Sequence, residues 1–157
     1  MNDQPEYITK QKYDQLKEEL QHLKTVARKA IAEQLDYAKS LGDLSENAEY
    51  HEAREKQADT EDRINQLEFL LKKAEIIDED NASHDKVSIG SQVTITKKAD
   101  NSSLEITIAG SEEADINNNK ISYQSPLGEA ILNHKAGDTV IVHTPKGEVE
   151  YLIEHIK

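Results

Sequence analysis

Ser40-Leu41-Gly42-Asp43-Leu44-Ser45-Glu46-Asn47 reads as a chain reversal set between two long stretches of helical apolar spacing. Upstream of it, Tyr13, Leu16, Leu20, Leu23, Ala27, Ala30, Gln34 and Tyr37 follow one another at alternating intervals of three and four. Downstream, Tyr50, Ala53, Gln57, Thr60, Ile64, Leu67, Leu71 and Ala74 do the same. Each set is a heptad seam. Folding the chain back between Asp43 and Leu44 makes the seams face each other with a constant index sum of 87. Leu20 then meets Leu67, Leu23 meets Ile64, Ala30 meets Gln57 and Tyr37 meets Tyr50. The spacing predicts an antiparallel helical hairpin, a thin arm whose seam runs roughly 36 Å at the rise of an α-helix. The leucine-rich end should be firm, and the tip half, with Ala30, Gln34 and Ala53, should gain less from burial. Gly42 suits the left-handed position that ends a helix. Asp43 can accept hydrogen bonds from the first free amides of the second helix.

The pattern changes near residue 80. Asp78-Glu79-Asp80-Asn81-Ala82-Ser83-His84-Asp85 reads as a polar linker, and from Val87 onward apolar residues alternate with period two. Strands are expected through Val93 and Ile95, through Leu104 to Ile108, through Ile121 and Tyr123, through Val140 and Val142, and through Val149 to Ile153. Thr144-Pro145-Lys146-Gly147 suits a hairpin turn between the last two. Ser125-Pro126-Leu127-Gly128 opens a short helix, with Ser125 as cap and Pro126 in the first turn. The expected fold class is α+β in two domains, a coiled-coil hairpin over residues 1–80 and a small α+β domain over residues 81–157.

Composition narrows the function. The chain of 157 residues carries 31 acids against 19 bases, a formal net charge of −12. Phosphate backbones repel such a molecule, so a free duplex binder is not expected, and nucleic acid is touched only inside a larger complex. A partner with a basic, water-filled entrance would attract it. The absence of cysteine rules out disulfides and thiolate zinc sites. The start is polar and acidic, unlike a signal peptide, and no apolar run reaches membrane-spanning length, which points to a cytoplasmic protein acting as a monomer.

Asp43 and Glu46 have the spacing of a capping box, and spacing alone favours that structural reading. Two features weigh against it. Ser45, Asn47 and Glu49 crowd the same turn, and the acids sit where the arm has most reach and least burial. Two carboxylates on one turn hold Mg2+ weakly, since this ion keeps several waters. They become useful where a partner supplies the rest of a two-metal site for phosphodiester hydrolysis. His51 and Glu55, four apart, have metal-ligand spacing, but such a pair is ordinarily a solvated face.

Gly42-Asp43-Leu44-Ser45-Glu46-Asn47-Ala48-Glu49-Tyr50-His51-Glu52-Ala53-Arg54-Glu55 resembles the tip signature of the GreA-type transcript-cleavage factors of bacterial RNA polymerase, the GreA/GreB family. Gly110-Ser111-Glu112-Glu113-Ala114-Asp115, Ile121 to Gly128, Gly137-Asp138 and Thr144 to Val149 extend the likeness over nearly the whole chain. The resemblance implies a hairpin that enters the polymerase secondary channel and an FKBP-like C-terminal domain that docks at its rim. It implies that Asp43 and Glu46 help hold an Mg2+ shared with the polymerase, which then cleaves backtracked RNA near its 3′ end. The chain would be an accessory factor rather than an enzyme, with no metal held stably alone. Ser45 and Asn47 would support the tip.

Lys24, Arg28, Lys29 and Arg54 are candidate RNA contacts, and DNA binding comes with the family. By the index sum, however, Arg28 lies opposite Asp59 and Arg54 opposite Glu33, which would pair these charges. Where relatives usually carry Pro, this chain has Lys29, so a straighter first helix is expected. Glu129 and Asn133 stand where many relatives have Lys. The alternatives are a channel-binding regulator that does not promote cleavage, a prolyl isomerase, and a structural coiled-coil adaptor. The isomerase would need an aromatic pocket that Tyr123 and Tyr151 scarcely supply.

Overall fold

The computed structural model describes residues 5–77 and 84–157. The expected linker lies outside the described residues except for His84 and Asp85, and so does the expected domain boundary at residue 80. Packing divides the chain into two compact units. One holds Tyr13–Lys73; the other holds the chain up to Lys12 together with everything from Ala74 onward.

The first unit is the hairpin. Its ascending arm comprises α1 (Lys10–His22), a π-helical turn (Leu23–Ala27) and α2 (Arg28–Ser40), and its descending arm is α3 (Ala48–Lys73). Up to the π turn the seam lies where the spacing places it, with Leu16 buried on α1 and Ile64 and Leu67 on α3. Beyond it, the ascending seam moves by one residue. Ile31, Leu35 and Ala38 are buried, whereas Ala30 and Gln34 are exposed and Tyr37 keeps 62% of its surface. A π turn accommodates one extra residue without breaking the helix. The residues C-terminal to it therefore rotate relative to an unbroken heptad. This corrects both the uniform index sum and the expectation of a smoothly continuous first helix. It also corrects the expectation of a weakly packed tip half. Ile31 and Leu35 form a cluster with Ala53, and Tyr50 packs against it.

Ion pairs flank the seam. The Arg63 guanidinium donates to both carboxylate oxygens of Glu19 at 2.7 and 3.2 Å, and Lys24 pairs with Glu68. These groups are substantially exposed, so they bias register more than they add stability.

The second unit is an α+β domain. Its sheet has the order β5-β4-β3-β7-β6, built from β3 (Gln92–Lys97), β4 (Ser102–Ala109), β5 (Lys120–Ser122), β6 (Thr139–Thr144) and β7 (Gly147–Ile156). All neighbours are antiparallel except β4 and β5. Every strand expected from alternation is present, and the β6–β7 hairpin closes with Thr144 opposite Gly147. α4 (Pro126–Ile131) is capped by the Ser125 hydroxyl, which accepts from the Gly128 N–H at 3.0 Å. Val93, Ile95, Ile106, Ile108, Ile131 and Ile153 form the heart of the core.

One element has no counterpart in the residue spacing. β1 (Glu6–Thr9) and β2 (Ala74–Ile77) form a separate parallel pair, Glu6 opposite Ala74 and Thr9 opposite Ile77. The Tyr7 ring meets Tyr123 edge-on at 5.7 Å. Gly110 is required beside this strand, because a Cβ there would stand 2.1 Å from the Tyr7 carbonyl oxygen. Thr9 then starts α1. Its Oγ1 accepts from the Lys12 N–H at 3.1 Å and donates to Glu113 at 2.8 Å.

The shifted seam is directly testable. Leu35→Ala should destabilise the full chain by about 2 kcal/mol or more, the usual cost of truncating a packed leucine. Gln34→Ala should stay within about 0.5 kcal/mol of the parent, as surface changes do. Chemical denaturation followed by far-UV circular dichroism measures both, and the unshifted seam requires the opposite ranking.

Candidate functional site

α2 ends where the Leu41 N–H turns back to the Ala38 carbonyl at 3.1 Å. Gly42 follows at φ 121°, a conformation that favours glycine and stops the helix. Asp43 is extended and heads a 3-10 turn, Leu44–Glu46. Its Oδ1 accepts from the Ser45 N–H at 3.0 Å and from the Ser45 hydroxyl at 2.9 Å. The backbone N–H first and the hydroxyl second hold the Asp43 carboxyl below its ordinary range.

The capping box expected from the spacing is not what the turn forms. The N-terminus of α3 is capped by Asn47, whose Oδ1 accepts from the Tyr50 N–H at 3.0 Å. Asp43 caps only the short 3-10 turn. Glu46 is exposed, and its side chain makes no hydrogen bond or ion pair with any described residue. Asn47 also reaches the other arm, its Nδ2 donating to the Ala38 carbonyl at 2.6 Å. His51 serves the turn rather than pairing with Glu55, for its Nε2 lies 3.3 Å from the Ser45 carbonyl oxygen. Asp43, Ser45, Glu46 and Asn47 are thus brought together on one turn. Asp43 and Glu46 are both open to solvent, at the end of the hairpin farthest in sequence from Tyr13 and Lys73.

The four basic residues do not form a free patch. The Arg28 guanidinium donates to both oxygens of Glu61 at 2.7 Å each, and Lys24 pairs with Glu68. Arg54 donates to Gln57 at 2.6 Å. The predicted opposites, Asp59 for Arg28 and Glu33 for Arg54, followed from an unshifted seam and are corrected by the π turn. Lys29 is exposed and unpaired among the described residues. In the C-terminal unit the Tyr123 hydroxyl is engaged, donating to the Pro5 carbonyl at 3.4 Å and accepting from Gln124 at 2.9 Å.

Two family descriptions match the chain, "Transcription elongation factor, N-terminal" over residues 6–76 and "Transcription elongation factor, GreA/GreB, C-term" over residues 82–157. The chain belongs to the GreA/GreB family of transcription elongation factors. It is 46% identical over 153 residues to Transcription elongation factor GreA of Thermoanaerobacter pseudethanolicus, covering 98% of each chain. It is 45% identical over 157 residues to the protein of that name in Chloroflexus aggregans, covering both chains completely. The crystal structure of GreA factor homolog 1 (Gfh1) of Thermus thermophilus is 27% identical, covers 98% of this chain and 99% of that one, and superposes with a TM-score of 0.42. The family descriptions give the expected DNA binding no support. Among the described residues no helix is long and apolar enough to cross a membrane.

The Asp43 bonds set a pH expectation. A depressed carboxyl favours the folded tip while it is ionised. That contribution is present above the unfolded-state value of an aspartate and is lost as pH falls through the lower folded value. Titration of the Asp43 side-chain carbon by NMR should give a midpoint below that of an ordinary aspartate, about 3.9. Ser45→Ala removes the hydroxyl and leaves the N–H, so the midpoint should rise part of the way back.

Proposed function

We propose that this chain is an accessory factor of RNA polymerase, not itself an enzyme, that inserts its hairpin into the secondary channel and stimulates cleavage of backtracked RNA. One observation carries the reading. Asn47, not Asp43 or Glu46, caps the helix that follows, so the two tip carboxylates are left exposed with no helix-capping duty on α3. The C-terminal unit docks at the channel rim, and the factor works in the cytoplasm as a monomer.

The tip suits Mg2+. Ionised carboxylates are hard oxygen donors, and this ion commonly takes one or two of them from a protein. Bound between Asp43, Glu46 and polymerase ligands, it would supply charge neutralisation and an activated water for phosphodiester hydrolysis. The rest is the work of this chain. The Ser45 N–H and hydroxyl hold the Asp43 carboxyl below its ordinary range and fix its orientation on the turn. The Glu46 side chain is exposed, free to turn toward the shared site. The acidic charge of the chain draws the arm toward a basic entrance and away from free duplexes. Lys29 is available to the RNA backbone, whereas Lys24, Arg28 and Arg54 must first exchange their present partners.

The test is cleavage in stalled, backtracked polymerase complexes. Asp43→Asn with Glu46→Gln should lower the rate at saturating factor by about 100-fold, the order lost when a preorganised charged or polar group is removed from a site. Undiminished cleavage by a folded, polymerase-bound double variant would refute the reading. Slower cleavage on adding the parent protein would favour the non-cleaving regulator instead.

A further inference from the structure

We infer that Asn47 is a positioning residue for the tip carboxylates, acting through the bond from its Nδ2 to the Ala38 carbonyl. The inference rests on the reading that Asp43 and Glu46 act in the polymerase site. The turn from Leu41 to Asn47 has seven residues, of which only Asn47 is partly buried. Its other contacts are local. Asp43 binds Ser45, His51 reaches the Ser45 carbonyl, and the Leu41 N–H binds Ala38 within its own helix end. The Asn47–Ala38 bond at 2.6 Å is the one hydrogen bond among the described residues that joins the end of α2 to the start of α3 across the tip.

The chemistry at both ends suits a clasp. The last carbonyls of a helix lack intrahelical partners and carry partial negative charge. Gly42 stops α2 so that the Ala38 carbonyl is left with the Leu41 N–H and room for a second donor. An asparagine is needed for the double task. Its Oδ1 caps α3 while its Nδ2 donates in the opposite direction; an ionised aspartate has no donor, and a serine has one oxygen, a bond nearer the backbone, in place of two separate atoms. Glu46 is covalently next to this residue. Without the clasp, α2 and α3 still pack through Ile31, Leu35 and Ala53, but the turn can pivot on the N-terminus of α3. Misplacement of a reacting group by about 1 Å costs on the order of 100-fold in rate, so a partial loss of position costs less than removal of the acids.

Asn47→Asp and Asn47→Ser both retain a good cap; the first has no donor for the Ala38 carbonyl, and the second replaces the amide donor with a single hydroxyl one bond shorter that is already engaged as the cap. The full-length variants are assayed for RNA cleavage in backtracked complexes across factor concentration, beside the parent and the Asp43→Asn/Glu46→Gln variant. The expected result for both is a rate at saturating factor reduced roughly tenfold, with the half-saturating concentration within twofold of the parent. Parent-like saturating rates would overturn the inference, as would a defect confined to the half-saturating concentration or to melting temperature. If the double acid variant also cleaves like the parent, the failure lies in the underlying reading. If it is inactive while the Asn47 variants cleave normally, only the role of Asn47 fails.

Discussion

A single apolar seam between two antiparallel helices holds the tip in place. Two helices have no third neighbour to correct a slip, so register along the seam decides which side chains face inward and which carbonyl meets which donor. Near the root, Leu16, Ile64 and Leu67 are buried on a regular heptad. Toward the tip the ascending chain has one residue too many for that heptad, and the π turn at Leu23–Ala27 absorbs it. The shift exchanges Ala30 and Gln34 for Ile31 and Leu35 in the seam, a change that favours burial on hydrophobic grounds alone. It also turns Ala38 inward in place of Tyr37.

That register makes the tip turn possible as it stands. Ala38 ends the buried face of α2, Gly42 halts the helix, and Asn47 caps α3 while binding the Ala38 carbonyl. With capping assigned to Asn47, the two acids are not needed to begin α3. Asp43 retains a modest local duty through Ser45, and Glu46 has none among the described residues. A pair of charged groups kept at an exposed turn with no part in capping the long helix that follows is a natural place to look for function.

Much of this was legible from residue spacing, and the exceptions have physical causes. The descending helix follows its heptad up to Leu71, and β3, β4, β6 and β7 carry alternating apolar residues, because each buries one face against a single core. The ascending helix misleads because either of two adjacent residues can serve as seam in its tip half. Spacing cannot choose between Gln34 and Leu35, although hydrophobicity can. The β1–β2 pair was hidden because its strands have four residues each and lie more than sixty residues apart, and because β2 opens with Ala74, which also fits the helical pattern. The tip acids were recognisable as a pair, but their capping spacing pointed to the wrong helix start. Asn47 takes that place in the fold.

The central claim is that the tip reaches the reactive end of backtracked RNA. The chain has no cysteine, so one placed at exposed Leu44, between the two acids, can carry a short photo-crosslinker uniquely. In complexes backtracked by a known distance, the expected result is crosslinking to the 3′ segment of the transcript, close to the cleaved bond. Bound factor whose tip crosslinks only to polymerase surface, with the RNA unmarked, would contradict it.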